Sequence, residues 1–160
     1  MKIGVIGAGN VGGTLGRGWT AKGHEVMYGW RDPQSARDPD GGRAGSVAEA
    51  AAFGEVIALA TPWGATEAAL RSAGDLSGKV LLDCTNPLKA DFSGLDFGFT
   101  TSGGEKVASW ARGARVVKIF NTTGFQNMAN PRYGSEAATM FYCGDDAEAA
   151  GAGAAARAAR

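Results

Sequence analysis

Histidine and cysteine are nearly absent from this chain, and their scarcity removes several kinds of chemistry at the outset. Among 160 residues there is one histidine and there are two cysteines. His24 stands alone, so neither a histidine-driven nucleophilic triad nor a His-rich metal site is available. It sits in a turn before an apolar run, where a structural or surface role is expected. Cys84 and Cys143 lie far apart and form no CxxC or Cys/His cluster. They read as reduced thiols of a cytosolic protein. No apolar run approaches the ~18 residues that a membrane span requires. The apolar stretch after Lys2 is interrupted by glycine too early for a signal peptide. A cytoplasmic location is therefore expected. Net charge is missing as well: 16 basic side chains balance 16 acidic ones, leaving no field to draw the chain to nucleic acid or a membrane. No paired carboxylates and no nucleophile–base spacing stand out, so no catalytic side chain is assigned. Asp145 and Asp146 read as caps at the start of a helix rather than metal ligands.

Glycine is abundant instead. The 26 glycines punctuate short apolar runs, as the turns of an α/β protein require. With 44% hydrophobic and 20% charged residues, the chain supports one core but not two. Strands are predicted at residues 2–6, 25–29, 56–60, 79–83, 115–120 and 139–143. Helices are predicted at 10–22, from 46, at 64–73, and from 102 to near Ala111. Two of these open on capping-box sequences, Ser46-Val47-Ala48-Glu49 and Ser102-Gly103-Gly104-Glu105. Residues 31–45 are too polar and too rich in turn formers to read as anything but loop. The alternation predicts a Rossmann-type, doubly wound α/β fold. Its sheet of about six strands is mostly parallel, with helices on both faces. Residues 1–145 form the dinucleotide-binding domain. Residues 146–160 have no Leu, Ile, Val or aromatic with which to dock. They are expected to be a low-complexity, frayed and partly helical end that leaves an apolar patch uncovered.

Gly7-Ala8-Gly9-Asn10-Val11-Gly12 is a GxGxxG sequence set between a strand and a helix, the context in which it signals a dinucleotide site. Gly7 makes the tight turn, Gly9 lets a pyrophosphate approach the backbone, and Gly12 lets helix and strand pack closely. The helix then offers unpaired N–H groups and partial positive charge to the phosphates. The end of the second strand, Tyr28-Gly29-Trp30-Arg31-Asp32, chooses the cofactor. Arg31 favours NADP(H), because its guanidinium matches a 2′-phosphate, with Trp30 along the adenine and Arg37 and Arg43 assisting. Asp32 keeps NAD open, since a shift of one position would set a carboxylate at the ribose.

With its exit Gly29-Trp30-Arg31-Asp32-Pro33, this opening resembles the coenzyme F-420-dependent NADP oxidoreductases. Leu59-Ala60-Thr61-Pro62-Trp63, Asp83-Cys84-Thr85-Asn86-Pro87-Leu88, Phe120-Asn121-Thr122 and Cys143-Gly144-Asp145-Asp146 follow in the family's order. The resemblance implies hydride transfer between NADP(H) and a 5-deazaflavin, both rings being bound by residues at the carboxyl ends of the strands. It implies that Gly7 to Gly12 hold the pyrophosphate and Arg31 the 2′-phosphate. Thr61, Pro62 and Trp63, with Asn86 and Pro87, border the nicotinamide; Asn121 and Thr122 lie near the deazaflavin. Family members have a small hydroxyl residue where this chain has Trp30. They also continue through further C-terminal elements that build the second pocket and a dimer. A C-terminally truncated chain is thus expected to bind NADP(H), to turn over poorly, and to dimerise only with those elements present. Two alternatives stay open: an NADP(H)-binding module without turnover, and a relative of the flavin- or metal-reducing enzymes.

Overall fold

The computed structural model describes residues 1–32, 34 and 41–158, the side chains of 154–158 excepted. Near-continuous apolar runs lay down its sheet. β1 (Lys2–Ile6), β2 (Glu25–Trp30), β4 (Val56–Leu59), β5 (Val80–Asp83) and β6 (Arg115–Ile119) are joined through α1 (Asn10–Ala21), α2 (Val47–Phe53), α3 (Trp63–Ala73) and α4 (Gly103–Trp110). β3 (Arg43–Ser46) and β9 (Tyr142–Cys143) extend the two edges. α5 (Phe125–Ala129), a hairpin of β7 (Arg132–Tyr133) and β8 (Glu136–Ala137), and α6 (Ala147–Ala158) complete the described chain.

The main sheet runs β3-β2-β1-β4-β5-β6-β9. Every pairing is parallel except β6 with β9. Strand order reverses between β1 and β4, which opens a crevice beyond their carboxyl ends. Alternate residues feed two cores. Ile3, Val5, Val56, Ala58, Val80, Leu82, Val117 and Ile119 pack with Leu15 and Trp19 of α1, Met128 of α5 and Ala149 of α6. Ile6, Ile57, Leu59 and Leu81 face Val47, Leu70 and Val107 of α2, α3 and α4. Burial on both faces explains why β4 reads Val-Ile-Ala-Leu and β5 begins Val-Leu-Leu, with a polar residue, Asp83, only at its carboxyl end. Each large apolar side chain so placed contributes about 1.5–3 kcal/mol.

Three elements differ from the sequence-based expectation. β3 is a strand where a loop is predicted, because Arg-Ala-Gly-Ser offers no large apolar residue and is held at an edge by backbone pairing alone. The strand predicted at residues 139–143 shortens to β9, and the addition of β3 gives the main sheet seven strands rather than about six. The tail is the larger correction. Over the described residues α6 is a docked helix, more regular than the frayed and partly helical end expected. Asp146 accepts a hydrogen bond from the Ala149 N–H at 2.9 Å. Arg115 clamps Asp146 with contacts of 2.6 and 2.9 Å and reaches Glu148 at 2.8 Å. The Arg115 guanidinium, then the Ala149 N–H, hold the Asp146 carboxyl well below the usual carboxylate range. Ala149 is fully buried, and a Cβ at Gly153 would lie 3.1 Å from Val117 Cγ1. Small residues dock by letting the helix approach; the apolar area they cover belongs to the sheet. Among the described residues, the most exposed large apolar side chains lie elsewhere, at Phe92, Leu95 and Phe99 after β5, and at Tyr133 and Phe141.

Candidate functional site

At the end of β1 the chain turns at Gly7 with φ +99°, and a Cβ there would lie 2.7 Å from the Ala60 carbonyl oxygen. Only glycine fits. A Cβ at Gly12 would fall 1.9 Å from the Gly7 oxygen and 3.0 Å from Val5 Cγ1, so helix and strand meet backbone to backbone. Gly9 differs: its backbone is extended and, among the described residues, nothing lies within 4 Å of its missing Cβ. The surface above it is open. No side chain caps α1, and no acidic residue sits in its first turn. The N–H groups of Asn10, Val11 and Gly12 therefore have no carbonyl four residues back and carry the positive end of the helix. Ala8 and Val11 anchor the loop on the core beneath.

A cavity of about 660 Å³ runs from this turn along the carboxyl edge of the sheet. Gly7 and Thr61 line one end, and Gly29, Trp30, Arg31 and Asp32 the other. Arg31 is exposed at the rim. Trp30 is half-buried, packs against the core face it shares with Tyr28, and has a buried Nε1 with no hydrogen-bond partner among the described residues. Asp32 accepts from the Gln34 N–H at 3.1 Å. Arg43 is not brought to Arg31: it opens β3 beside Met27 and reaches Glu25 at 3.8 Å. Arg37 and Pro33 lie outside the described residues. Ser46 instead comes level with Trp30 and lines the cavity with Val47 and Ala48, opposite Ala65 and Ala68 of α3. Its capping box is complete. Ser46 N–H and O–H donate to Glu49 Oε2 at 2.7 and 2.8 Å, and Glu49 N–H donates back at 3.2 Å. The Ser46 backbone N–H, then its hydroxyl, hold the Glu49 carboxyl below its ordinary value. These cavity residues escape sequence reading because they reach the site only through the unforeseen β3.

Beyond β4, Thr61 Oγ1 lies 3.0 Å from Thr66 Oγ1, and Thr66 donates to the Pro62 carbonyl at 3.2 Å. Pro62 caps α3, while the Trp63 ring packs on Phe97 and Trp110 with centroids 5.4 and 5.3 Å away. At the ends of β5 and β6 an ion pair is buried. Asp83 is fully buried, and Lys118 Nζ donates to its Oδ2 at 3.0 Å and to the Thr85 carbonyl. Thr85 N–H and O–H donate to Asp83 Oδ1 at 2.9 and 2.7 Å. Asn86 Nδ2 donates to the Asn121 carbonyl at 3.1 Å, and Asn121 Nδ2 returns to Asn86 Oδ1 at 3.4 Å. Pro87 packs against the start of α4 at Gly103. Thr122 donates to Met140 Sδ at 3.6 Å. Burial pushes the Cys84 thiol far above its usual value, which leaves it protonated. Among the described residues no His, Cys, Asp and Glu group is arranged to hold a metal.

Gly7, Trp30, Arg31 and Thr61 thus share one cavity, with the rest of the glycine loop beside it. Asn86 and Asn121 clasp one another at a second place along the same edge. Trp63 is engaged with other aromatics.

Comparison with known proteins adds to this geometry. A family model described as NADP oxidoreductase, coenzyme F-420-dependent, matches residues 2–87. An Arthrobacter protein described as a candidate F-420-dependent NADP reductase is 33% identical, with TM-score 0.89 over 99% of this chain and 80% of that one. A hypothetical protein from Sinorhizobium meliloti is 25% identical, with TM-score 0.85 over 99% and 80%. Metalloreductase STEAP3 of Rattus norvegicus is 28% identical over 151 residues, or 92% of this chain. The chain spans 30% of that relative's length. Among the described residues no helix is long and apolar enough to cross a membrane.

Proposed function

The chain belongs to the coenzyme F-420-dependent NADP oxidoreductase family, and on that premise we propose that it transfers hydride between NADP(H) and a 5-deazaflavin in the cytoplasm. The observation that carries this proposal is the cavity of about 660 Å³ joining the Gly7 turn to Arg31 along the carboxyl edge of the sheet. It starts where the strand order reverses, the place at which open α/β sheets bind their ligands.

The residues fit a dinucleotide. Open space above Gly9 leaves room for a pyrophosphate against the backbone, and the N–H groups of Asn10, Val11 and Gly12 supply donors. Ala8 keeps the loop seated. Arg31 takes the 2′-phosphate at the rim, and Trp30 closes the adenosine end. Thr61 and Pro62, with Asn86 and Pro87, border the nicotinamide; Trp63 supports that border from behind through Phe97 and Trp110. Asn121 and Thr122 face the second ring. Bound together, the two cofactors supply the hydride donor and acceptor, so this chain's contribution is position and electrostatics rather than a proton-transferring side chain.

NADPH oxidation measured with a deazaflavin, with a flavin and with neither tests the proposal. Oxidation dependent on the deazaflavin is expected. Oxidation supported by flavin alone would replace it with a flavin- or metal-reducing activity, the second reading that the STEAP3 likeness favours. Tight NADPH binding without oxidation by any acceptor would leave a nucleotide-binding module.

A further inference from the structure

The hydrogen-bonded pairing of β5 with β6 ends at the rung Asp83–Lys118. Beyond it the two chains remain tied, but by side chains. Asp83 fixes the N–H and hydroxyl of Thr85, and Lys118 fixes the Thr85 carbonyl and the second Asp83 oxygen. Every hydrogen-bonding group of Thr85 is therefore held by one ion pair. The residue after Thr85 is Asn86, whose carboxamide clasps Asn121 across the gap between the loops. Asn121 itself follows Phe120, a fully buried residue held at φ +63° in the left-handed region. That conformation costs a non-glycine residue and persists only where the surroundings impose it.

Stability alone does not call for this arrangement. The neighbouring rungs, Leu81–Val116 and Leu82–Val117, are apolar, and replacing a buried ion pair by packed hydrophobic residues is commonly neutral or stabilising. The Asp83 carboxylate is fully buried and the Lys118 side chain is 16% exposed, so both have lost most of their water. What the pair supplies that Leu and Met would not is a fixed direction for the Thr85 peptide.

We propose that Lys118 and Asp83 are positioning residues, which lock Thr85 and thereby hold the Asn86–Asn121 clasp that sets the separation of the β5 and β6 loops where the two rings meet. This rests on the hydride-transfer function proposed above. Misplacing reacting groups by ~1 Å costs on the order of 100-fold in rate while leaving remote binding contacts intact. The clasp lies away from the glycine loop and Arg31, so its loss acts on ring placement rather than on nucleotide capture.

The test uses the full chain. Lys118→Met alone strands a buried carboxylate and is prone to misfold, so it is paired with Asp83→Leu in a double variant. Asn121→Ala is made separately; it removes the bond from Asn121 Nδ2 to Asn86 Oδ1 and leaves the buried ion pair in place. Because the double variant leaves the buried N–H, hydroxyl and carbonyl of Thr85 without their partners, it is expected to melt below the wild type yet remain folded, and to keep its NADPH affinity. Its kcat with the deazaflavin should fall on the order of 100-fold, with a larger isotope effect from deuterium at nicotinamide C4. Asn121→Ala should shift in the same direction, by about 10-fold. A folded double variant with wild-type kcat, or one losing NADPH affinity in step with kcat, overturns the proposal. Should the wild type not oxidise NADPH with the deazaflavin, the proposed function fails. The clasp is then read by nuclear magnetic resonance. Side-chain amide signals of Asn86 and Asn121 that move to freely rotating values in the double variant support it, and unmoved signals overturn it.

Discussion

Gly9→Val separates nucleotide capture from folding. Gly9 has extended backbone with φ −75°, which a β-branched residue adopts without strain, and nothing among the described residues lies within 4 Å of the added Cβ. The folding cost is confined to its place as the helix N-cap, where valine is inferior to glycine by about 1 kcal/mol. For a chain of this size that corresponds to a fall of roughly 2–4 °C in melting temperature. The binding cost is larger. The valine fills the opening through which phosphate oxygens reach the first-turn N–H groups. Each charge-assisted hydrogen bond lost removes about 1.5–3 kcal/mol, so two such bonds weaken NADPH by at least ~100-fold. Gly12→Ala is the contrasting control. Its Cβ would sit 1.9 Å from the Gly7 oxygen, and relieving that overlap means opening the turn, at about 1–3 kcal/mol or more. Melting should then fall by roughly 5–10 °C, with binding lost as a consequence. Thermal denaturation beside fluorescence titration reads both variants. Gly9→Val melting as low as Gly12→Ala would give Gly9 a structural role, and NADPH affinity retained within about tenfold would put the phosphates elsewhere.

Arg31→Ala should weaken NADPH by about 1.5–3 kcal/mol while leaving NADH nearly unchanged; equal losses for both nucleotides would transfer discrimination to Asp32. The Asp146 carboxyl is held below its unfolded value by Arg115, so its stabilising effect is complete at neutral pH. It is lost as pH falls below about 4, the ordinary carboxylate value, toward the depressed one. The melting difference between wild type and Asp146→Asn should therefore shrink on acidification, and a difference that grows would contradict the linkage. Gly153→Leu should destabilise by about 1–3 kcal/mol, because its Cβ already meets Val117 at 3.1 Å. Gly151→Ala, in open space on the same helix, should stabilise by about 0.5–1 kcal/mol. Equal melting temperatures for these two variants would mean that α6 is not docked.

Strand and helix signals were legible where apolar runs meet definite punctuation. β1 ends at the glycine loop as predicted, and the Ser46 and Ser102 capping boxes both form with their two halves present. Gly7, Trp30, Arg31 and Thr61 were legible as candidate site residues because a strand's carboxyl end is marked by the break in its apolar run. The failures share a cause: each depends on who the partner is. β3 has no apolar signature and exists only because β2 offers it an edge. Hence Ser46 reaches the cavity unforeseen, and Arg43 is drawn to Glu25. α6 reads as featureless because its apolar contacts are supplied by Val117 and Leu82, with only alanine and glycine of its own. Asp83 and Lys118 are 35 residues apart, and charges at strand ends read as solvated. Only the sheet register shows them buried against each other.

The two edges of the sheet obey different rules. At the amino ends of the strands, lysine and glutamate side chains meet free backbone groups. Lys79 closes the end of α2 by donating to the carbonyls of Ala51 and Gly54, both at 2.7 Å, and Glu55 accepts from the Lys2 N–H at 3.0 Å. Glycines at positive φ occur at both edges, Gly23, Gly78 and Gly113 at the amino ends as well as Gly7. What the carboxyl ends hold besides is Phe120 at positive φ, a buried ion pair where neighbouring rungs are apolar and, among the described residues, a Trp30 Nε1 without a partner. Each costs stability, and a chain selected for folding alone would replace them with packed aliphatic residues and relaxed turns. Local rules that fail together in one place mark a site under a second constraint. Here that place is the edge where strand order reverses and where the cavity opens, so the stability forgone is concentrated where bound cofactors would make the compensating contacts.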